Sequence, residues 1–277
     1  MSGLDSQKET YYPDIKERDG WTIGKNSGVE DKSGNQLPFA KSKEAQIILS
    51  NREFKEIDEY VNNRFLALIL KKIKENPNRQ TVVLDLDGGV YSKPVRGILR
   101  HPMLKGRVKC VNIDLFAVDI PREILEQENI NPDDLVVLNE DFAQNNLPDN
   151  SVDAIISWQA MNYMDDATFY KAITEVARIL APGGEAYLNM SGLYVRDRDY
   201  NVLSFPSMEE YAAQPWRQEL YNRGIFFQCF ETEDENHTRE GTSTMIHMAK
   251  KKGNSYPFLD DFDLAFPEIE EAVKKYE

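Results

Sequence analysis

Apolar positions are spaced differently in the first 50 residues and in the 200 that follow. Up to Ser50 the chain is polar and rich in turn-forming residues, with only scattered aromatics. Such a segment cannot build its own core, so we expect it to drape over the main domain or to be partly disordered. From Asn51 onward, apolar residues recur at helical spacing until Pro77. This pattern predicts one long amphipathic helix.

Short runs rich in Val and Ile then alternate with helical patterns. The predicted strands are Thr81–Leu86, Val108–Phe116, Leu135–Asn139, Val152–Trp158 and Glu185–Met190. The predicted helices between them are one opened by Ser92, one over Pro121–Glu128 and one over Asp165–Leu180. Regular alternation of this kind predicts right-handed crossovers and a parallel sheet with helices on both faces.

The last third of the chain departs from this alternation. A helix is predicted to begin at Ser207 and to be bent or shortened by Pro215. Two strand-like runs follow, "GIFFQCFET" and "STMIHMAKKK", with a polar loop and no helix between them. Strands joined without a crossover are antiparallel neighbours. We therefore expect an α/β, Rossmann-like sheet of seven mostly parallel strands with an antiparallel terminal strand.

Three regions follow from this pattern. Residues 1–50 form an N-terminal extension, residues 51–252 the main domain, and residues 253–277 an acidic tail with a short helix after a hinge at Gly253–Pro257.

Composition narrows the classes of partner. A net charge of -14 and a pI near 4.8 argue against nucleic acid, because that affinity comes from Lys and Arg displacing counterions. Cys110 and Cys229 lie in apolar runs and are interpreted as core thiols rather than a disulfide. The N-terminus lacks the pattern of a secretory signal, and no run approaches the ~20 apolar residues that span a bilayer. We therefore expect a cytoplasmic protein without a membrane partner.

Four segments, in order, carry a family resemblance. They are "VVLDLDGGV", "VNIDLF", "EDFAQNNLPDNSVDAIISWQAMNYMDD" and "EVARILAPGGEAYLNM". Over about residues 55 to 252 the chain resembles a class I S-adenosylmethionine-dependent methyltransferase of the small-molecule branch. The resemblance implies S-adenosylmethionine as cofactor, bound at the carboxyl ends of the parallel strands.

The turn after the first strand departs from the family's acid-x-Gly-x-Gly-x-Gly pattern. Asp85 supplies the acid and Gly89 the second glycine, whereas Asp87 and Tyr91 stand at the first and third glycines. Asp tolerates positive backbone angles better than most residues, so Asp87 need not break the turn. Its carboxylate would favour the amino group or sulfonium of the cofactor and repel its carboxylate. The Tyr91 ring must either turn outward or fill the space of the methionine part.

The resemblance also implies the other cofactor contacts. Asp114 is predicted to hold the ribose, or else to be a solvated strand-end acid. Asp141 and Phe142 would meet the adenine, or Asp141 would only organise its turn. Ser157 and Trp158 would line the pocket floor, although Trp158 also fits a core position. Gly88 and Leu115 complete the predicted cofactor site.

On the acceptor side, Asn162 and Tyr163 are the predicted catalytic residues, as a positioning amide and a phenol that also fits a packing role. A lid formed by Tyr11, Tyr12 and Trp21 is an alternative to a disordered or partner-binding arm. No metal site is predicted, because the histidines and cysteines lack ligand spacing. Arg196 and Arg198, after the fifth strand, would meet an acidic acceptor or simply be solvated.

Three functions remain open. The first is methyl transfer to a small molecule, with a homodimer or a protein partner possible. The second is a methyltransferase fold without that activity, serving regulation, assembly or another ligand. The third, a nicotinamide-dependent oxidoreductase, lacks its GxGxxG fingerprint.

Overall fold

The computed structural model describes two units of the chain separately, Met1–Asn51 and Arg52–Glu277. The described residues are 17–18, 21–23, 29–31, 54–60, 64–89, 92–114, 117, 119–158, 160–163, 166–190, 195–196, 202–204, 215–232 and 243–255.

The first unit contains a small antiparallel sheet. Its strands are β1 (Glu17–Arg18), β2 (Trp21–Ile23) and β3 (Val29–Asp31), in the order β1-β2-β3. Sequence reasoning missed these strands, because two or three residues per strand are too few to show an alternating pattern.

The second unit is built on seven strands. They are β4 (Thr81–Leu86), β5 (Val108–Ile113), β6 (Leu135–Leu138), β7 (Val152–Trp158), β8 (Leu180–Met190), β11 (Ile225–Thr232) and β12 (Ser243–Lys250). The sheet order is β11-β12-β8-β7-β4-β5-β6. The five strands from β4 to β8 run parallel, and β12 is antiparallel to both β8 and β11. A two-residue β9 (Val195–Arg196) pairs with β10 (Val202–Ser204) in a separate ribbon. The predicted fold class, a mostly parallel seven-stranded sheet ending in an antiparallel pair, is confirmed.

Helices cover both faces of this sheet. They are α1 (Phe54–Tyr60), α2 (Arg64–Glu75), α3 (Lys93–Arg100), α4 (Arg122–Gln127), α5 (Asp166–Ile179) and α6 (Pro215–Asn222). One core joins α5 and α6 to one face, and a second core joins α1 to α4 to the other. The central strands β4, β5 and β7 are therefore buried on both sides, which is why they read as continuous apolar runs.

The helix predicted as a single unit before the sheet is described as two, α1 and α2. The backbone N–H of Leu66, in the first turn of α2, donates to Asp58 Oδ1 at 2.9 Å. A side-chain acceptor on a first-turn N–H is the mark of a helix N-terminus, so Asp58 gives α2 its own start.

Two further boundaries can be compared with the prediction. Among the described residues Pro215 is the first residue of α6, a position that suits proline because its missing N–H would have no partner there. Strand β8 begins at Leu180, with the Pro-Gly-Gly segment forming an irregularity between its pairs with Val152 and Ala154. Gly183 there has a φ of 80°, a positive angle that favours glycine. The predicted Ser207 start, the Gly253–Pro257 hinge beyond Ser255 and the acidic tail lie outside the described residues.

Candidate functional site

The turn after β4 lies at the switch point of the sheet. From β4 the chain crosses outward to β5 and β6, then returns to place β7 on the other side of β4. In open parallel sheets such a reversal leaves a crevice at the carboxyl ends of the strands, and ligands bind there.

The backbone of this turn takes the angles expected of a glycine-rich loop. Asp87 has a φ of 60° and Gly89 a φ of 80°. The prediction that Asp87 tolerates a positive backbone angle is therefore confirmed. Gly88 meets a different demand, since a Cβ there would come within 2.1 Å of Asp85 Oδ2 and 2.6 Å of Asn112 Oδ1. The turn therefore lies directly against β4 and β5, and position 88 has no room for a side chain.

Two side chains from the end of β5 fix the turn. Asn112 Nδ2 donates to the Gly89 carbonyl at 2.9 Å and to Ser92 Oγ at 2.7 Å. The Gly89 N–H donates to Asp114 Oδ2 at 3.1 Å. The turn and the two strand ends therefore form one hydrogen-bonded unit. Sequence analysis missed Asn112, although an amide inside the apolar run "VKCVNI" was the available signal.

Ion pairs hold the helix that follows the turn, α3, in place. Arg96 of α3 is buried and makes a two-pronged ion pair with Glu128, its Nε donating to Oε2 at 2.7 Å. Arg100 donates to the same carboxylate at 3.0 Å. Buried bidentate pairs of this kind fix geometry well, so α3 holds a set position behind the turn.

Three carboxyl groups crowd the site. Burial, and then the charge of Asp114, raise the pKa of Asp85 to about 8. Burial also raises the pKa of Asp87 well above its ordinary value, followed by the charge of Asp114, a hydrogen bond to Asp114 and the charge of Asp85. Among the described residues no hydrogen-bond partner reaches Asp85 Oδ2. Carboxyls in such a setting take up a proton instead of remaining all charged.

Asp85 gives a pH dependence of stability that can be measured. Its raised pKa means that the folded chain binds a proton which the unfolded chain, with a pKa near 3.9, has lost. Stability from this group is therefore greatest at low pH and falls as pH rises toward and past 8. Between pH 7 and pH 9 we expect a loss of about 1 kcal/mol of unfolding free energy that Asp85→Asn abolishes. Urea unfolding of both proteins at these two pH values measures it, and parallel changes would contradict it.

The predicted adenine contacts have clear places after β6. Asp141 is exposed, and its Oδ1 accepts from the Ala143 N–H at 2.9 Å, capping a short 3-10 helix, Phe142–Gln144. Phe142 is buried and packs in the core on the α5 face. The turn-organising role of Asp141 is therefore realised, and its exposed edge stays open to a ligand.

The predicted pocket floor lies at the end of β7. Ser157 is buried, and among the described residues its Oγ has no hydrogen-bond partner. Trp158 is partly buried against the α2 face. Beside Trp158 on β8 lies Asn189, fully buried, which sequence reasoning missed. Ser157, Trp158 and Asn189 put polar groups at the same carboxyl edge as the turn.

Several predicted residues fall outside this description. Tyr11, Tyr12, Tyr91, Leu115 and Arg198 are not among the described residues. Only the backbone is described for Trp21 and Arg196, in strands, and for Asn162 and Tyr163, in a 3-10 helix directly after β7. Their proposed roles rest on sequence alone.

The described residues can be considered for two features, a metal site and a membrane-spanning helix. Within them, no group of three or more His, Cys, Asp or Glu side chains is arranged to hold a metal ion. Nor does any helix of the described part have the length and apolar character needed to cross a membrane. Cys110 is a buried free thiol within the core on the α1–α4 face.

Comparison with known proteins gives one family match. Residues 97–188 match the model of the methyltransferase domain family Methyltransf_11. The match runs from α3 to β8 and so begins just after the turn. No curated protein matches the chain.

Solved structures of low identity are also similar. One is a complex between the Haloferax volcanii Trm112 methyltransferase activator and a methyltransferase, at 18% identity, 72% coverage of this chain, 94% of that chain and a TM-score of 0.44. Another is Haemonchus contortus phosphoethanolamine N-methyltransferase 2 with phosphomonomethylethanolamine and S-adenosylhomocysteine, at 14% identity, 69% and 53% coverage and a TM-score of 0.43. A third, from Listeria monocytogenes, is described as an S-adenosylmethionine-dependent methyltransferase, at 15% identity, 68% and 100% coverage and a TM-score of 0.41.

The domain match covers helices and strands that flank the candidate site, and the sheet ends in the antiparallel pair that the sequence predicted. The part of the chain from α3 to β8 is therefore similar to a methyltransferase domain.

Proposed function

We propose that this protein binds S-adenosylmethionine at the turn after β4 and transfers its methyl group to a small molecule. One observation carries the proposal: the Gly89 N–H donates to Asp114 Oδ2 at the switch point of the sheet. That bond holds the turn and the strand-end acid close together. A ligand made of a nucleoside and an amino-acid part, without phosphates, has to reach both of them at once.

The described residues fit the parts of this cofactor. Asp114 can accept hydrogen bonds from the two ribose hydroxyls, because a carboxylate offers about four lone-pair sites. Gly88 and Gly89 leave the turn without side chains, so the backbone can approach the ligand closely. Asp141 is exposed beyond β6, where a carboxylate would accept from the adenine amino group.

The chemistry requires mainly positioning. The bound cofactor supplies a methyl group on a positively charged sulfur, which an acceptor displaces in line. Holding two reactants in a reactive geometry provides much of the acceleration of such a step. We assign this task to the β4 turn on the donor side. On the acceptor side we assign it to Asn162 and Tyr163, whose backbone follows β7 directly.

The small-molecule acceptor follows from charge and from the motifs present. The chain carries -14 net charges, which disfavours the phosphate backbone of nucleic acids. The Asn/Asp-Pro-Pro-aromatic string associated with amino groups of nucleobases is absent from the sequence. A lid formed by Tyr11, Tyr12 and Trp21 over the cofactor crevice stays a prediction from the sequence alone.

The test compares cofactor affinity before and after Asp114→Asn. A charge-assisted hydrogen bond contributes about 1.5–3 kcal/mol, so replacing the carboxylate by an amide should weaken S-adenosylhomocysteine binding by about 10- to 100-fold. Isothermal titration calorimetry on the full chain measures this ratio.

Asp133→Asn is the matched control, since Asp133 is exposed beside β6 and its side chain lies outside the proposed site. It should bind as the unchanged protein does. Equal affinities for all three proteins would contradict the assignment of Asp114, and no binding to any of them at millimolar ligand would contradict the function.

A second function is favoured by a specific contact. Asp114, the proposed ribose acid, already accepts from the Gly89 N–H at 3.1 Å, and an aspartate stands at position 87 where the family has its first glycine. A methyltransferase fold that has lost its cofactor and serves regulation or assembly would show this contact permanently. Saturable binding of S-adenosylhomocysteine would exclude that alternative as the reason for the contact.

A further inference from the structure

The side chains of Asp85 and Asn112 lie next to each other under the turn. The register of the parallel pair β4–β5 places the two residues directly opposite each other, and both are buried. Asp85 Oδ2 and Asn112 Oδ1 converge on Gly88, at 2.1 and 2.6 Å from the point that a Cβ of Gly88 would occupy. Within the described residues, neither oxygen has a hydrogen-bond partner. Two buried acceptors that converge in this way lack a hydrogen between them.

The orientation of the Asn112 amide is fixed by its other contacts. Its Nδ2 donates to the Gly89 carbonyl at 2.9 Å and to Ser92 Oγ at 2.7 Å, so both of its hydrogens are used. A flipped amide would turn Oδ1 toward the Gly89 carbonyl oxygen, which can only accept. Oδ1 must therefore stay on the side of Asp85, and the carboxyl of Asp85 is the group that can supply the missing hydrogen.

The charged groups around Asp85 favour this protonated form. Burial, and then the charge of Asp114 at the end of β5, raise the pKa of Asp85 to about 8. Asp87 in the turn and the Cys110 thiol on β5 are the other titratable groups near its carboxyl. The buried basic side chains of the helices on this face are paired with glutamates, Lys72 of α2 with Glu75 and Arg96 of α3 with Glu128. A neutral carboxylic acid is thus the form that this position favours at neutral pH.

From this arrangement we propose that Asp85 is a positioning residue of the cofactor site: as a neutral acid it donates a hydrogen bond to Asn112 Oδ1 and so holds the amide that fixes the turn. The inference rests on the proposed function and identifies what keeps the turn ready for the ligand. A carboxylate at position 85 would instead repel Oδ1, and the amide would lose its hold on Gly89 and Ser92. The turn would then shift away from Asp114, and cofactor affinity would fall.

The sign of the pH effect separates this role from a simple charge effect. The cofactor carries cationic groups, so a carboxylate at position 85 that acted only through its charge would increase affinity as pH rises. An acid that must keep its proton to hold the turn has the opposite effect. With a pKa of about 8 for Asp85, affinity should fall about tenfold between pH 7 and pH 9.

Calorimetry with S-adenosylhomocysteine on the full chain at these two pH values measures the fall. Asp85→Asn keeps a donor toward Asn112 but cannot ionise, so its affinity should not show the fall. Titration of the ligand's own ammonium group is common to both proteins and cancels in the ratio of their affinities.

Asn112→Ala is the second variant, and Asp133→Asn is the control. Asn112→Ala loses the hydrogen bonds to the turn, so it should bind about tenfold more weakly at pH 7. It should also lack the fall at pH 9, because the charge of Asp85 no longer acts on an amide that holds the turn. Asp133→Asn should show the fall in full.

Carbon NMR of the full chain with isotope-labelled aspartate detects the proton directly and needs no variant. The Asp85 carboxyl, assigned through its own backbone, should be protonated at pH 7, where an ordinary aspartate is ionised, and should titrate with a pKa of about 8.

Two kinds of result would overturn this inference in different ways. An Asp85 carboxyl that is ionised at pH 7, or an affinity ratio between the unchanged protein and Asp85→Asn that is the same at both pH values, removes the role of Asp85 and leaves the proposed function standing. No binding of S-adenosylhomocysteine to the unchanged protein at pH 7 removes the proposed function, and the positioning role with it, whatever the NMR spectrum shows.

Discussion

Replacing Gly88 by alanine is expected to weaken cofactor binding by about 100-fold and to lower the free energy of unfolding by about 1–3 kcal/mol. A Cβ at this position would come within 2.1 Å of Asp85 Oδ2 and 2.4 Å of its Cγ. Asp85 is buried, so it cannot swing away into solvent, and the turn must move instead. Overpacking a closed site costs energy in this range, and displacing a binding group by about 1 Å can cost two orders of magnitude. Calorimetry with S-adenosylhomocysteine and urea unfolding measure the two effects.

Gly106→Ala is the control for Gly88→Ala, because it changes a glycine with a positive φ without creating a steric clash. Gly106 has a φ of 71°, but a Cβ there would meet no atom within 4 Å. This control should lose about 1 kcal/mol through its backbone angle and keep full affinity for the ligand. If Gly88→Ala retained the affinity of the unchanged protein, the turn after β4 would not be the ligand site.

Replacing His247 by alanine is expected to lower the free energy of unfolding by about 3–5 kcal/mol without changing the turn. His247 Nε2 lies 3.0 Å from Glu185 Oε2, and both residues are buried between β8 and β12. The imidazole also stacks on Tyr187, with ring centroids 4.5 Å apart and planes 9° from parallel. Removing the histidine leaves the buried Glu185 carboxyl without this hydrogen-bond partner and opens a cavity beside the Tyr187 ring, and both effects destabilise the fold. Urea unfolding at pH 7 measures the loss.

The control is Gln228→Ala on the neighbouring strand. Gln228 is directly opposite His247 on β11 but is exposed, so its removal should change stability by no more than about 0.5 kcal/mol. A loss below about 1 kcal/mol in His247→Ala would show that the buried pair is not what fixes β12 between β8 and β11.

The fold could be predicted because the buried strands have a recognisable sequence pattern. β4, β5, β7 and the terminal pair are runs of Val, Ile, Phe and Met whose ends are marked by turn residues, and β4 and β7 have their predicted bounds. The first helix was predicted as one because the apolar spacing continues through Tyr60 and Arg64. The contact of Asp58 with the Leu66 N–H in the first turn of α2 is a side-chain interaction that a periodic pattern does not register.

The site was harder to predict because its main contacts join residues far apart in the sequence. Asp85 and Asp114 could be identified from their place at strand ends. The amide of Asn112, which joins the turn to Ser92, becomes a site residue only when β4 and β5 lie in register. The hydrogen bond from the Gly89 N–H to Asp114 likewise depends on that register. The aspartate at the first glycine position keeps the positive backbone angle of the turn, with a φ of 60°.

The most direct measurement is a crystal structure of the full chain with S-adenosylhomocysteine. The account predicts the ribose hydroxyls on the Asp114 carboxylate and the amino-acid end of the ligand beside Gly89. Ligand density at another place, or crystals grown at saturating ligand in which no ligand lies above Gly89, would contradict it.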